Sequence, residues 1–208
     1  MTVSVALDAL CDVDGPADPA AAVAAALRAR DVPVPEDWSR AWATDHVDAP
    51  AGAAVPLPAR VSATLASRGV EAPGNAARRA VVAAFDPAVQ TRKGAADLVA
   101  AARGRGPVAA VSDAAAPELT GRVLVRSRLA REEFDAVVSA VGCGWRRSDP
   151  RLFETVADRL DTDAADLVHV GVDDGALSAV DAAGGRAVDA RERSLADIAA
   201  ALSDDDSG

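Results

Sequence analysis

VSVALDALCDVDGP, residues 3–16, is the stretch on which the reading of this chain turns. Its first part, Val3 to Leu7, is a short apolar run rich in Val and ended by an acid, Asp8. Asp12, Asp14, Gly15 and Pro16 then form a turn-prone segment. A short apolar run bounded by turn residues predicts a buried strand rather than a helix. An acid just past such a strand stands where open α/β sheets hold their ligands, outside the carboxyl ends of the strands.

Working outward, residues 17–88 carry helical patterns and no strand signal. Asp18 to Arg30 reads as a helix, capped by Asp18 with Pro19 in its first turn. Further helices are expected over Glu36–Asp45, Arg60–Arg68 and Gly74–Phe85, separated by Pro- and Gly-rich breaks. Trp38 and Trp42, four apart, share a face and read as core of this helical unit. From residue 89 on, strand and helix alternate. Strands are expected at Val108–Val111, Phe134–Ala140, Leu167–Gly171 and Arg186–Asp189. Helices are expected at Gly94–Arg103, within Pro117–Leu129, and at Pro150–Leu160, Leu177–Ala183 and Ser194–Leu202. Such alternation predicts an α/β fold with a doubly wound, mostly parallel sheet. The expected organisation is an α/β core from 1–16 and 89–203, an inserted helical cap over 17–88, and a disordered acidic tail at 204–208.

Composition narrows the function. Thirty-two acidic residues against 22 basic ones give a net charge of -10, which argues against a nucleic-acid partner or an anionic membrane. Lys93 is the only Lys, and the chain is Ala-rich. This acidic, Lys-poor balance suggests a host adapted to high salt, where net charge keeps proteins soluble. A GC-rich genome would account for the Arg but not for the acidity. Cys11 and Cys143 lie far apart without a neighbouring Cys or His, which predicts two free thiols rather than a zinc site. No basic region followed by an apolar stretch marks a signal peptide, so a cytoplasmic protein is expected. Oligomeric state is not encoded legibly.

Four predicted strand ends carry polar residues: Asp8, Ser112, the pair Arg146–Arg147, and Asp173–Asp174. A carboxylate nucleophile, a hydroxyl, a fixed cation and an acidic pair at one crevice suit phosphoryl transfer through an aspartyl intermediate. In order and spacing these segments resemble the haloacid dehalogenase-like (HAD) hydrolase superfamily, of the type with a helical cap. LDALCDVD stands where that family has an Asp-x-Asp-Gly-Thr-type motif, and VAAVSD where it has a strand ending in Ser or Thr. GCGWRRSDPRLFE resembles its Gly-x-x-Lys-Pro-Asp-Pro stretch, and LVHVGVDDGALSAVDAAGG its Val-Gly-Asp segment.

The resemblance implies a Rossmann-like core, with Asp8 as nucleophile and Ser112 and Arg147 holding the transferred group. It implies Mg2+ held by Asp8, the Leu10 backbone carbonyl and Asp173. The most direct expectation is therefore a magnesium-dependent phosphatase of a small phosphate monoester. Several positions depart from the pattern. Leu10 replaces the second Asp, the acid/base of the family's phosphatases, and Cys11–Asp12 replace Gly-Thr. Arg147 replaces Lys, Ser148 replaces Pro, and Val172 replaces the first acid of the metal motif. These departures imply an alternative, a catalytically degraded protein that keeps the fold for binding or regulation. A dehalogenase-type hydrolase working without metal is a third reading. His46 reads as a surface residue and His169 as a core His.

Overall fold

The computed structural model describes residues 1–204. Strand β1, Thr2–Ala6, is buried at all five positions. Its β-branched residues suit a strand covered on both faces. It is flanked in parallel by β4, Val108–Ser112, and β6, Leu167–Gly171. Strands β5, Ala136–Ser139, and β7, Arg186–Asp189, complete a five-stranded parallel sheet of order β5-β4-β1-β6-β7. Strand order thus runs away from β1 in one direction and then in the other, and the crevice beside β1 is where open α/β sheets place ligands.

Successive residues of β4 serve opposite faces, as a strand requires. Val108 and Ala110 pack with α6 (Ala95–Arg105) and α11 (Leu195–Asp204), through Leu98, Val99, Ile198 and Leu202. Ala109 and Val111 pack with α9 (Pro150–Arg159) and α10 (Asp174–Ala182), through Leu152, Phe153, Val156 and Val180. The sheet is therefore covered on both faces, an α/β Rossmann-like core.

Between the first strand and the rest lies the helical segment: α2 (Pro19–Arg28), α3 (Trp38–Ala43), α4 (Leu57–Ala66) and α5 (Ala76–Ala84). Asp18 caps α2, accepting from the Ala21 N–H at 2.9 Å. Val23, Leu27, Trp38, Val61, Leu65 and Val81 form its buried centre, which continues into Leu119 of α7 (Pro117–Arg126). The Trp38 indole N–H donates to the Ala20 carbonyl at 2.8 Å, and its ring lies 5.6 Å from that of Trp42.

Three features differ from the sequence expectation. A single helical turn, α1, Leu7–Leu10, follows β1 directly. Next, Cys11–Asp14 is a strand, β2, paired antiparallel with β3, Ala88–Thr91, where a turn-prone segment was expected from Asp12 on and no strand was expected around residues 88–91. The two strands are short and mostly exposed, so they lack the apolar alternation that would announce them, and their pairing partner is remote in sequence. Finally, the expected strand at Phe134–Ala140 shortens to β5, because Ala140–Cys143 turns into a helical turn, α8. The Ser139 hydroxyl accepts the Gly142 N–H there, and Gly144, at φ +89°, ends it. Of the acidic tail expected at 204–208, Asp204 is the last residue of α11, and the remainder lies outside the described residues. Among the described residues no helix is long and apolar enough to cross a membrane.

Candidate functional site

The strand ends do converge. Asp8 is the second residue of α1, set at the carboxyl end of β1. Arg147 comes from the loop after α8, at the end of β5, and its side chain is only 15% exposed. Its guanidinium meets three carboxylates. Nη1 donates to Asp8 Oδ2 at 2.6 Å, Nε lies 3.4 Å from Asp113 Oδ2, and Nη2 lies 3.9 Å from Asp173 Oδ2. Burial works against the Arg147 charge, but Asp8, Asp113 and Asp173 outweigh it and hold its pKa above the ordinary value. Burial pushes the Asp113 carboxyl up, Arg147 pulls it back, and Asp8 and Asp173 push it further up.

The two Asp8 oxygens have different fates. Oδ2 is committed to Arg147, whereas Oδ1 is buried without a hydrogen-bond partner. Ser112, the last residue of β4, is 6% exposed. Its Oγ accepts from the Thr120 hydroxyl at 3.0 Å and from the Ala114 N–H at 3.2 Å, so both lone pairs are used. A cleft of about 710 Å³ opens beside this group. Arg60, Arg146 and Arg147 face Asp45, Asp113 and Asp173 across it, with Val47, Val55 and Leu57 as an apolar wall. Among the described residues, neither Asp8 nor Ser112 lines that cleft.

The donor set for a metal is poorly disposed. Leu10 is fully buried in the core, and its carbonyl accepts the Arg92 N–H at 2.9 Å. Asp173 is the N-cap of α10, its Oδ1 accepting from the Ala176 N–H at 2.9 Å. Among the described residues no group of three or more His, Cys, Asp or Glu is arranged to hold a metal ion. Asp8 and Asp173 both face the Arg147 guanidinium, so a cation held by Asp8, the Leu10 carbonyl and Asp173 would have to share the site with that charge.

Arg146, read from the sequence as one of a pair with Arg147, has a different role. It holds a strap from the helical segment over the crevice. Its N–H donates to the Gly52 carbonyl at 2.9 Å and its Nε to the Ala53 carbonyl at 3.0 Å, while Ala54 N–H donates to the Gly144 carbonyl at 2.9 Å. The Arg151 guanidinium adds a bond to the Ala51 carbonyl at 2.9 Å and stacks 3.6 Å above the Trp145 ring. Gly52 has φ +81°, and a Cβ there would lie 1.8 Å from Asp149 Oδ2, so the strap fits only with glycine at this point.

Asp113 was not singled out from the sequence as a site residue. Its only signal was its place immediately after Ser112 at a strand end. Cys11 is buried, which pushes its thiol up despite Thr91 and Arg92. A protonated thiol in that position is not a nucleophile. His169 is fully buried, with Nδ1 2.9 Å from Ser4 Oγ and the Phe153 ring against it at 4.7 Å. Burial lowers its pKa to about 3, so it is a neutral core residue. His46 is half-buried, its Nε2 3.0 Å from the Ala41 carbonyl oxygen.

No family model matches the sequence, and no curated protein matches it. Solved structures do. CbbY from Rhodobacter sphaeroides in complex with phosphate has a TM-score of 0.58 at 18% identity, over 89% of this chain and 84% of that one. A 2-haloacid dehalogenase from Pseudomonas syringae pv. Tomato has a TM-score of 0.57 at 17% identity, over 91% and 86%. A predicted phosphoglycolate phosphatase from Haemophilus somnus has a TM-score of 0.55 at 15% identity, over 90% and 84%. With these neighbours, the parallel sheet and the carboxylate at the end of its central strand, the chain has the fold of the haloacid dehalogenase-like hydrolases.

Proposed function

We propose that this chain keeps the HAD core as a small-molecule binding protein, with Arg147 as a built-in counter-ion in place of a metal. The observation that carries this reading is the 2.6 Å pair between Arg147 and Asp8, with Asp113 and Asp173 against the same guanidinium. A carboxylate nucleophile must present an unengaged oxygen to its substrate. Here one oxygen is neutralised by Arg147 and the other is buried. Leu10 offers no proton for a leaving group. Three carboxylates around one guanidinium also leave the centre negative, which disfavours a phosphate dianion. The cleft's charged lining is balanced, three arginines to three aspartates beside an apolar wall. That lining suits a zwitterionic or neutral polar ligand with an apolar part. A nucleic acid or an anionic membrane does not suit a chain of net charge -10.

A second reading, hydrolysis through Asp8, is favoured by one observation. Asp8, Ser112 and Arg147 stand at the ends of the adjacent strands β1, β4 and β5, in the order that a HAD phosphatase or dehalogenase would need. It requires Arg147 to leave Asp8. Turnover of p-nitrophenyl phosphate and of a 2-haloacid panel, with and without magnesium, separates the two readings. The binding reading expects no turnover above that of Asp8→Asn. Activity that Asp8→Asn abolishes would establish the hydrolase instead.

A further inference from the structure

A second cleft, of about 600 Å³, lies away from the crevice, where the helical segment meets α7 of the core. Arg30, Arg78, Arg79 and Arg122 line it, against only two acids, Asp86 and Glu118. This reverses the balance of the whole chain, where acids outnumber bases 32 to 22. A surface kept acidic for solubility would place carboxylates here rather than guanidiniums. Both acids carry an arginine partner, although Glu118 Oε2 is buried without a hydrogen-bond partner. Glu118 pairs with Arg78, and Asp86 pairs with Arg122 and, at 2.8 Å, with Arg126. Each of these pairs spans the junction, because Arg78 and Asp86 belong to the helical segment and its exit while Glu118, Arg122 and Arg126 belong to α7. They hold Arg78 and Arg122 in fixed orientations at the rim.

Two guanidiniums are left over. Arg30, in the turn after α2, donates from Nη1 to the Ala26 carbonyl at 2.7 Å and has no ion pair among the described residues. The Arg79 side chain has no ion pair or hydrogen bond among the described residues. Two planar donors without a carboxylate partner among the described residues, with further guanidiniums at the rim, match paired oxyanion groups, since a fork can bind a phosphate or carboxylate through two parallel bonds. The volume falls in the range of small-ligand sites.

We infer that this cleft binds a small polyanion carrying two phosphate or carboxylate groups, held by Arg30 and Arg79 at the junction of the helical segment and the core. The inference does not rest on the reading of the crevice. Both groups of ligand share the oxyanion chemistry, and the assay separates them. The full-length chain is titrated calorimetrically with pyrophosphate and, in a parallel arm, with citrate, at constant ionic strength. Saturable binding in either arm is expected, and the arm that saturates assigns the oxyanion. Arg79→Ala and Arg30→Ala should each weaken it at least tenfold. Asp8→Asn and Ser112→Ala, in the crevice, should leave it unchanged. Circular dichroism checks that each variant is folded. Absence of saturation in both arms overturns the proposal. So does equal affinity in the arginine variants, or a loss of binding in the crevice variants, which would move the site to the crevice.

Discussion

Arginine is used in opposite ways in two parts of this molecule. In the crevice, one guanidinium, Arg147, is 15% exposed and serves three carboxylates. At the junction with α7, four guanidiniums face two carboxylates, and Arg79 is left without a partner among the described residues. The first arrangement is satisfied from within and has little left for a ligand. The second is only partly satisfied, with Arg79 exposed to solvent. Counting arginines near a cleft therefore says little about anion binding; what matters is how many carboxylates have already claimed them.

The largest effect should come from breaking the satisfied arrangement. Arg147→Met strands Asp8, Asp113 and Asp173 as mutually repelling neighbours. Removing one partner of a buried ion pair costs 3–5 kcal/mol, and Asp8 is partly open to solvent, so a loss of about 2–3 kcal/mol in urea unfolding is expected. Arg147→Lys should recover part of that, because the charge returns without the fork. A variant as stable as the parent would mean that the cluster is not an internal counter-ion.

The next effect concerns the floor beneath the crevice. His169 is uncharged when folded, with a pKa lowered to about 3 by burial, whereas the unfolded chain takes up the proton near the ordinary 6.5. The folded state therefore binds fewer protons, and stability is lost as the pH falls from about 6.5 towards 3. By pH 5 the loss from this one group should reach about 2 kcal/mol. The carboxylates of Asp37, Asp86, Asp149 and Asp189, each held low by an arginine, lose their contribution only further down, below the ordinary carboxylate range. His169→Leu should flatten the decline between pH 7 and 5 and leave the lower part in place. Unchanged slope in urea melts across that range would show that His169 titrates normally.

The smallest effect sharpens the contrast from the other side. Arg79 is exposed and has no partner among the described residues, so Arg79→Ala should leave the urea midpoint where it is, even as it weakens polyanion binding. A shift as large as that of Arg147→Met would mean that the two regions do not differ in the way described.

Much of the core was legible in the sequence, and the reason is local. Leu167–Gly171 and Arg186–Asp189 are strands at the bounds read from the sequence, and Pro150 opens α9 behind the Asp149 cap as expected. What escaped depended on remote partners. Strands β2 and β3 are mostly exposed and meet only because the chain returns after the helical segment. The site was legible as a set of strand ends but not as a pattern of pairing. Asp8, Arg147 and Asp173 were identified and do meet, whereas Ser112 is turned to Thr120 and Ala114, and Leu10 into the core. Asp113 joined the cluster unannounced, because an acid after a strand-end Ser looks like an ordinary turn residue. The division of Arg146 from Arg147 is equally invisible to spacing, since adjacent residues in a loop diverge according to what packs over them.

If Arg147 supplies the positive charge that a metal would otherwise bring, magnesium should find no place in the parent chain. Calorimetric titration of magnesium into the folded chain, compared with Arg147→Met, tests it most directly. No saturable magnesium binding is expected in the parent chain, with binding appearing in Arg147→Met as the three carboxylates are released. Saturable binding to the parent chain, weakened by Asp8→Asn and by Asp173→Asn, would contradict it.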